Sequence, residues 1–413
     1  MSLQIKSFYF DIVIIGRWLL ILTLVALLFS PPLTTLFEVS LFVIFVFSQE
    51  LRGRLKLVMT QPIVISVLVF YFAILISATN NLVSWRDGFE SFWGWRKILF
   101  LPLATALFDE DFWKYRLVSI FVVITTICAA LSFLSLCLDL AVYKYPVGII
   151  IRNHATQGIM FSVAAYSAGI LLLLKAREIG QYEKLGALLS IVILITNVVY
   201  VTPGRSGYLA LIVLTITLAI AYMFINKKLL VPMVILAFIS VLLLSSPTVH
   251  QRVMQGVNEA SSYNNSNAEF SSMGIRMVLW KNTINLIQER PILGYGSGGF
   301  INAYKSIIEN EPAWKHEITH DPHNQFLKIA VEQGGIGLIV FLGFIFSCFW
   351  QKNSVVFYFL GVGVLLVWCG NSLFSSHFST FSEGRFIFIW CGVMLAKERI
   401  AINRSKPITA IIG

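Results

Sequence analysis

Long apolar runs, separated by loops of which alternate ones carry lysine and arginine, limit most strongly what this chain can fold into. A helix that is apolar on every side has no polar face to turn toward water, so it must be surrounded by lipid or by other protein. The runs fall at 11–30, 33–48, 62–78, 92–108, 117–139, 156–174, 185–201, 207–225, 229–246, 323–350, 354–372 and 385–398. They predict an all-α polytopic membrane protein with about twelve transmembrane helices. Several runs fall short of the usual ~20 residues, which tilt or a thin bilayer accommodates. Ser30-Pro31-Pro32 predicts a tight reversal between the first two, since proline opens a helix readily and interrupts one badly. With 57% hydrophobic and 13% charged residues, the chain has roughly half the charge that covers a soluble protein of its size. Soluble folds are thereby set aside.

The basic residues orient the spans. Arg52, Arg54 and Lys56, then Lys114 and Arg116, then Lys175, Arg177 and Lys184 occupy one set of loops. The same set continues with Lys227 and Lys228, Lys352, and finally Lys397, Arg399, Arg404 and Lys406. Lysine and arginine concentrate in cytoplasmic loops, so both termini are expected inside. The expected division is spans one to nine over 1–246, a large periplasmic loop over 247–322, and spans ten to twelve with a cytoplasmic tail over 323–413. Within the loop, apolar residues at helical spacing predict short helices over 274–290 and 299–310, ending at Pro291 and Pro312, with a polar turn region at Ser261–Ser272.

Other classes are excluded on similar grounds. The net charge of +10 lies in orienting loops, so it points to no nucleic-acid partner. The five cysteines, Cys128, Cys137, Cys348, Cys369 and Cys391, all fall in apolar segments and suggest neither a disulfide framework nor a zinc site. The first apolar run is followed by no small-residue cleavage site and reads as a retained span. No internal repeat of the transporter kind is seen.

The suggestive polar groups all collect on the expected outer side. In His320-Asp321-Pro322-His323-Asn324, Asp321 and Pro322 look like an N-cap and first-turn pair, which places His323 in the first turn of span ten. The positive helix end would keep His323 neutral, as a general base requires. An interfacial capping histidine is the plainer alternative. A metal site from His320, Asp321 and His323 lacks a clear fourth ligand. Arg205, at a break between spans, and Arg276, one turn before Trp280, suit a bidentate grip on phosphate oxygens, or else serve as interfacial anchors. Arg152 and His154 are weaker candidates of the same kind. Gly334, Gly335 and Gly337 predict a smooth patch for a neighbouring helix, and Lys328 a pair with Glu332. Gly294-Tyr295-Gly296-Ser297-Gly298-Gly299 contains GxGxxG, but no strand precedes it; a turn between the loop helices is expected instead of a dinucleotide site.

The ordered set Arg205-Ser206, Gly274-Ile275-Arg276 with Trp280, Pro291-Ile292-Leu293-Gly294-Tyr295-Gly296 and His323-Asn324 resembles the bacterial O-antigen ligase and polymerase superfamily. His323-Asn324, nine residues, then Gly334-Gly335-Ile336-Gly337 is similar to the ligase pattern of His, a small amide or Ser, nine residues, Gly, two residues, and Gly, Thr or Tyr. The stretch from Gln251-Arg252 through Ser261-Ser262-Tyr263-Asn264-Asn265 to Arg276 resembles the loop of enterobacterial ligases. One departure is that His320 stands three residues before His323, where those ligases have a histidine two before.

The resemblance implies a glycosyltransferase of lipopolysaccharide biosynthesis at the outer face of the bacterial inner membrane. Glycan carried on undecaprenyl diphosphate would pass, with inversion, to a sugar hydroxyl of lipid A–core. His323 would be the base and Arg276 with Arg205 the diphosphate clamp; Asn324, His320 and Arg152 would support them. No metal, nucleotide or other cofactor is implied. An O-antigen polymerase and a protein O-oligosaccharyltransferase share this chemistry. A membrane transporter is the reading from a different class, but it expects ionisable groups near the membrane midplane.

Overall fold

A computed structural model describes residues 11–80, 82–141, 145–175, 178–261, 271–308, 321–351 and 353–397. The first half of the chain forms α1 (Ile12–Phe29), α2 (Pro31–Phe47), α3 (Gln49–Val58), α4 (Pro62–Ala78), α5 (Trp85–Gly94), a 3-10 turn (Trp95–Leu99), α6 (Phe100–Leu107), α7 (Asp111–Cys137) and α8 (His154–Leu174). Then come α9 (Gln181–Tyr200), α10 (Arg205–Asn226), α11 (Leu230–Ser245), α12 (Pro247–Ser261), α13 (Ser272–Glu289), α14 (Phe300–Ile308), α15 (Gln325–Phe349), α16 (Val355–Asn371) and α17 (Ser382–Met394). The chain is an all-α, multi-pass membrane protein, and no strand occurs among the described residues.

The reversal at Ser30 forms as expected. Ser30 ends α1 through its N–H to Ala26 and caps α2 by accepting from Leu33 N, with Pro31 at the first helical position. The spans are less uniform than the apolar runs suggest. Among the described residues six helices are long and apolar enough to cross a bilayer, or eight if each sharply bent pair counts as one span. The bent pairs are α2 with α3, at 94°, and α11 with α12, at 76°. Helices α4 and α16 are apolar but shorter.

Two of the expected spans owe their apolar character to protein neighbours. The run 92–108 divides into the end of α5, a 3-10 turn and the eight-residue α6, in which every side chain is buried. All thirteen residues of α17 are buried too. A segment of that length does not cross a ~30 Å hydrocarbon core alone; its apolarity answers to packing. In contrast, Leu230, Met233, Val234, Phe238, Val241 and Leu244 of α11 are all exposed, as a lipid-facing helix would be. The cysteines form no disulfide; Cys128, Cys348 and Cys391 are in the core.

Helix α7, at 27 residues, runs about 40 Å and separates two chemically different ends. At its first turns Arg54 pairs with Asp109 (3.1 Å), Lys114 donates to Ala396 O (3.0 Å), and Lys175 lies over Tyr115. Residues of the basic loops thus converge there. Near its last turns a buried polar knot ties α7 to the starts and ends of other helices. Gln157 donates to Gly148 O (2.9 Å) and Thr202 Oγ1 (3.0 Å), and Asn197 donates to Ser132 Oγ (2.9 Å). Buried polar networks of this kind fix geometry when every member is satisfied. Here they hold the starts of α8 and α10 together. Gly158 and Gly207 let those helices touch: a Cβ on Gly207 would lie 2.9 Å from Gly158 Cα.

The segment 247–322 holds α13 and α14 where short helices are expected, and also α12, which the sequence analysis did not anticipate. Its Pro312 and 262–270 lie outside the described residues. Leu279, Leu286, Phe300, Tyr304 and Ile308 form a small core of their own against Val331 of α15. The glycine-rich 294–299 stretch is the turn between α13 and α14, with positive φ at Gly294, Gly296 and Gly298.

Gly334 corrects the expected helix-packing patch. Its φ of 67° breaks α15, and the neighbour there is the 291–296 backbone. Tyr295 N donates to Val331 O (2.9 Å), Gly296 N to Glu332 O (2.8 Å) and Gly335 N to Pro291 O (2.7 Å). A Cβ on Gly334 would lie 2.1 Å from Ile292 O.

Candidate active site

At the end of α7 away from the basic loops, a cavity of about 530 Å³ opens between helix starts. Its walls include His154 and Ala155 from the start of α8, Gly204 and Arg205 from the start of α10, and Ser272 and Met273 from the start of α13. Helix N-termini carry partial positive charge and unpaired N–H groups, so three of them around one space favour an anion. Gly204, as N-cap of α10, supplies no side-chain acceptor to its own helix.

Three arginines line the same cavity: Arg205, Arg252 and Arg276. Arg205 pairs with Glu259 of α12 (3.4 Å), and Glu259 also accepts from Met273 N (3.2 Å), which ties α10, α12 and α13 together. The close fit of Arg205 against Gly256, whose Cβ would lie 2.8 Å from Arg205 Nη1, completes this packing. Arg276 donates to Ser272 Oγ (3.3 Å), but its buried Nε has no partner, nor has the indole N–H of Trp280 one turn on. Burial and then the nearby Arg205 push the Arg276 guanidinium down from its ordinary value, while Glu259 opposes them. An arginine keeps its charge under such pressure, so an entering anion would relieve a stored repulsion.

His323 is not one of the wall residues, but the structure brings it within electrostatic reach of Arg276, by a route different from the expected one. Asn324, and not Asp321, caps α15, accepting from Phe326 N and Leu327 N. His323 therefore stands before the helix, with φ of 54°. Asp321 accepts from His323 N (2.7 Å) and Ser376 Oγ (2.6 Å), and pairs with Lys328 (3.3 Å). Lys328 thus reaches Asp321, where the sequence suggested Glu332. Asn324 Nδ2 donates to Leu373 O (3.1 Å), fastening the start of α15 to the segment between α16 and α17.

Burial is the first cause that holds the His323 imidazole below its ordinary value; Arg276 and Lys328 add to it and Asp321 opposes. The neutral ring expected from the helix dipole is thus produced mainly by desolvation. A histidine in the left-handed region is uncommon and mildly strained, and such positions cluster at functional sites.

Not every candidate comes to this place. Arg152 donates to Ser382 Oγ and lies over the Phe381 ring, outside the cavity walls. His320 lies outside the described residues. Two wall residues, Arg252 and His377, were missed as site candidates. Arg252 had been noted only inside the loop resemblance, and His377 follows two serines in a stretch with no motif of its own. Among the described residues no three His, Cys, Asp or Glu side chains gather in a metal-holding group.

Residues 188–342 match the family model described as O-Antigen ligase. Over this region the chain is similar to the O-antigen ligase family. The match contains Arg205, Arg252, Arg276 and His323. An uncharacterized protein of Haemophilus influenzae is 26% identical over 293 residues, covering 68% of this chain and 70% of its own length. A Rickettsia felis protein named "Putative polysaccharide ligase" is 36% identical over 84 residues, and one of the same name from Rickettsia conorii is 39% identical over 84. Each of these two matches covers 19% of this chain and 20% of the relative. The similarity to ligases, in a membrane protein with an arginine-lined cavity, suggests an enzyme that transfers glycosyl groups.

Proposed function

We propose that the protein is an O-antigen ligase, transferring polysaccharide from undecaprenyl diphosphate to a sugar hydroxyl of lipid A–core in the bacterial inner membrane. The observation that carries this reading is the convergence of three arginines and three helix starts on one cavity, with His323 within electrostatic reach of Arg276. A sugar diphosphate would place its anionic group there. His323 takes the proton of the acceptor hydroxyl as its oxygen attacks the anomeric carbon. The bond from that carbon to the diphosphate oxygen breaks on the opposite face, which inverts the centre. The leaving diphosphate keeps the electron pair, and Arg276 and Arg205 stabilise it.

The reaction faces the periplasm in this reading, and both termini are cytoplasmic. Its support is that basic-loop residues gather at one end of α7 and the cavity at the other, with positive loops marking the inner side. Asn324 supports the site by capping α15 under His323.

The test is deletion of the gene followed by a lipopolysaccharide gel. Loss of the whole ladder, with lipid-linked polysaccharide accumulating, is expected. Retention of one repeat on core would overturn the ligase reading in favour of a polymerase, and an unchanged ladder would overturn both.

A further inference from the structure

His377 stands apart from the other buried polar residues around the cavity because both of its ring nitrogens lack a partner. A neutral imidazole has one donor and one acceptor to satisfy, and buried polar groups are nearly always paired. The residue is 6% exposed, yet it forms part of the cavity wall, as Arg205, Arg252 and Arg276 do. The backbone beneath it is well held. Ser376 donates to Asp321, Ser379 N donates to Gln325 Oε1 (3.1 Å), and Thr380 Oγ1 donates to His377 O (3.0 Å). The backbone is thus fixed, and the ring it carries keeps two unused hydrogen-bonding atoms.

The charges around it define what it can do. Burial holds the ring below its ordinary value, while Glu383 of α17 and Asp321 before α15 pull the other way. Asp321 is shared with Lys328, and Glu383 accepts from Thr156. Lys97 donates to the nearby carbonyls of Ser379 and Thr380, and Arg385 is spent on Glu38. His154, Arg205, Arg252 and Arg276 line the cavity with it, Glu259 being tied to Arg205.

We propose that His377 is a further ligand of the anionic group that enters this cavity, donating a ring N–H to it and taking up one proton from solvent as it binds. The proposal rests on the reading of the cavity as a diphosphate site. In the empty cavity, burial favours the neutral ring over the pull of Glu383 and Asp321. A diphosphate brings several negative charges and reverses the local sign, so the protonated ring becomes the favoured form. The proton comes from the buffer and returns to it when the product diphosphate leaves. During transfer the imidazolium offsets the charge that grows on the leaving oxygen.

The test uses the purified full-length protein and farnesyl diphosphate as probe, with calorimetry in buffers of different ionisation enthalpy from about pH 5.5 to 8. The parent is expected to take up close to one proton more than His377→Gln. The variant should bind about tenfold more weakly at the acid end, with the two converging at the alkaline end. The probe's own titration is common to both and cancels. Equal affinity and equal proton uptake in parent and His377→Gln, with binding lost in Arg276→Ala, would overturn the role of His377 and leave the diphosphate reading standing. No binding by the parent would overturn both. Should His377→Gln fail to fold, the parent alone decides: proton uptake no greater than the probe's own titration explains would sink the proposal.

Discussion

Asp321 accepts the backbone N–H of His323 at 2.7 Å and the hydroxyl of Ser376 at 2.6 Å, so one carboxylate holds the histidine's backbone against the segment that carries His377. With Lys328 on its other oxygen at 3.3 Å, Asp321 joins the start of α15 to the cavity wall. His323 keeps its left-handed φ of 54° in this setting, a conformation that costs a non-glycine residue roughly 1 kcal/mol or more. The site is therefore held from beneath by groups that need not touch substrate.

His323→Asn tolerates the left-handed backbone but cannot act as a base at neutral pH. It should lower turnover by about 10²–10⁴ with donor affinity nearly unchanged. His323→Ala should behave alike. A full lipopolysaccharide ladder from either variant at normal expression would reduce His323 to a structural residue.

The pH profile should reflect a base that is already neutral in the empty enzyme. Burial, Arg276 and Lys328 lower its proton affinity and Asp321 raises it, with a net shift downward from the ordinary imidazole value. Activity should therefore be lost only as pH falls below that value. The pH dependence of kcat/KM across the acid range, which reports the empty enzyme, checks this; a half-maximum above that value would require another base.

Arg276→Lys keeps the charge and loses the planar fork. It should still weaken donor binding, and Arg276→Ala and Arg205→Ala should weaken it by about 10–100-fold, as for hydrogen bonds to charged groups. Arg205→Ala also frees Glu259, which binds Met273 N, so part of its effect should appear as a lower melting temperature. Binding and thermal unfolding measured side by side separate the two contributions.

Gly334→Ala should destabilise the chain by more than about 1 kcal/mol, since its Cβ would lie 2.1 Å from Ile292 O. The 291–296 backbone must then leave α15, and Arg290 should become a faster tryptic site. Unchanged melting and cleavage would show that this loop is not held by α15.

A cysteine at Ser271, the N-cap of α13, should react with a membrane-impermeant thiol reagent added to intact spheroplasts, with the unmodified chain as background. Labelling that requires permeabilised membranes would reverse the proposed orientation.

The apolar runs determined that the chain is helical and multi-pass, because apolarity on all sides is a local property that needs no knowledge of neighbours. Ser30-Pro31-Pro32 fixed a reversal for the same reason, and the glycines at 294–299 a turn. Arg205, Arg276 and His323 were legible as candidates from residue type and spacing. Local pattern could not say whether an apolar run meets lipid or protein, which is why α6 and α17 read as ordinary spans although every side chain in them is buried. Nor could it choose between Asp321 and Asn324 as the cap of α15, since both are good acceptors and only the docking of Asp321 against Ser376 and Lys328 decides. Gly334 signalled a close approach, but the partner was a distant loop and not a helix. Arg252 and His377 joined the cavity only through the packing of α12 and the placement of the segment before α17. Their function-bearing property is which space they border, and that is set by contacts between segments far apart in the chain.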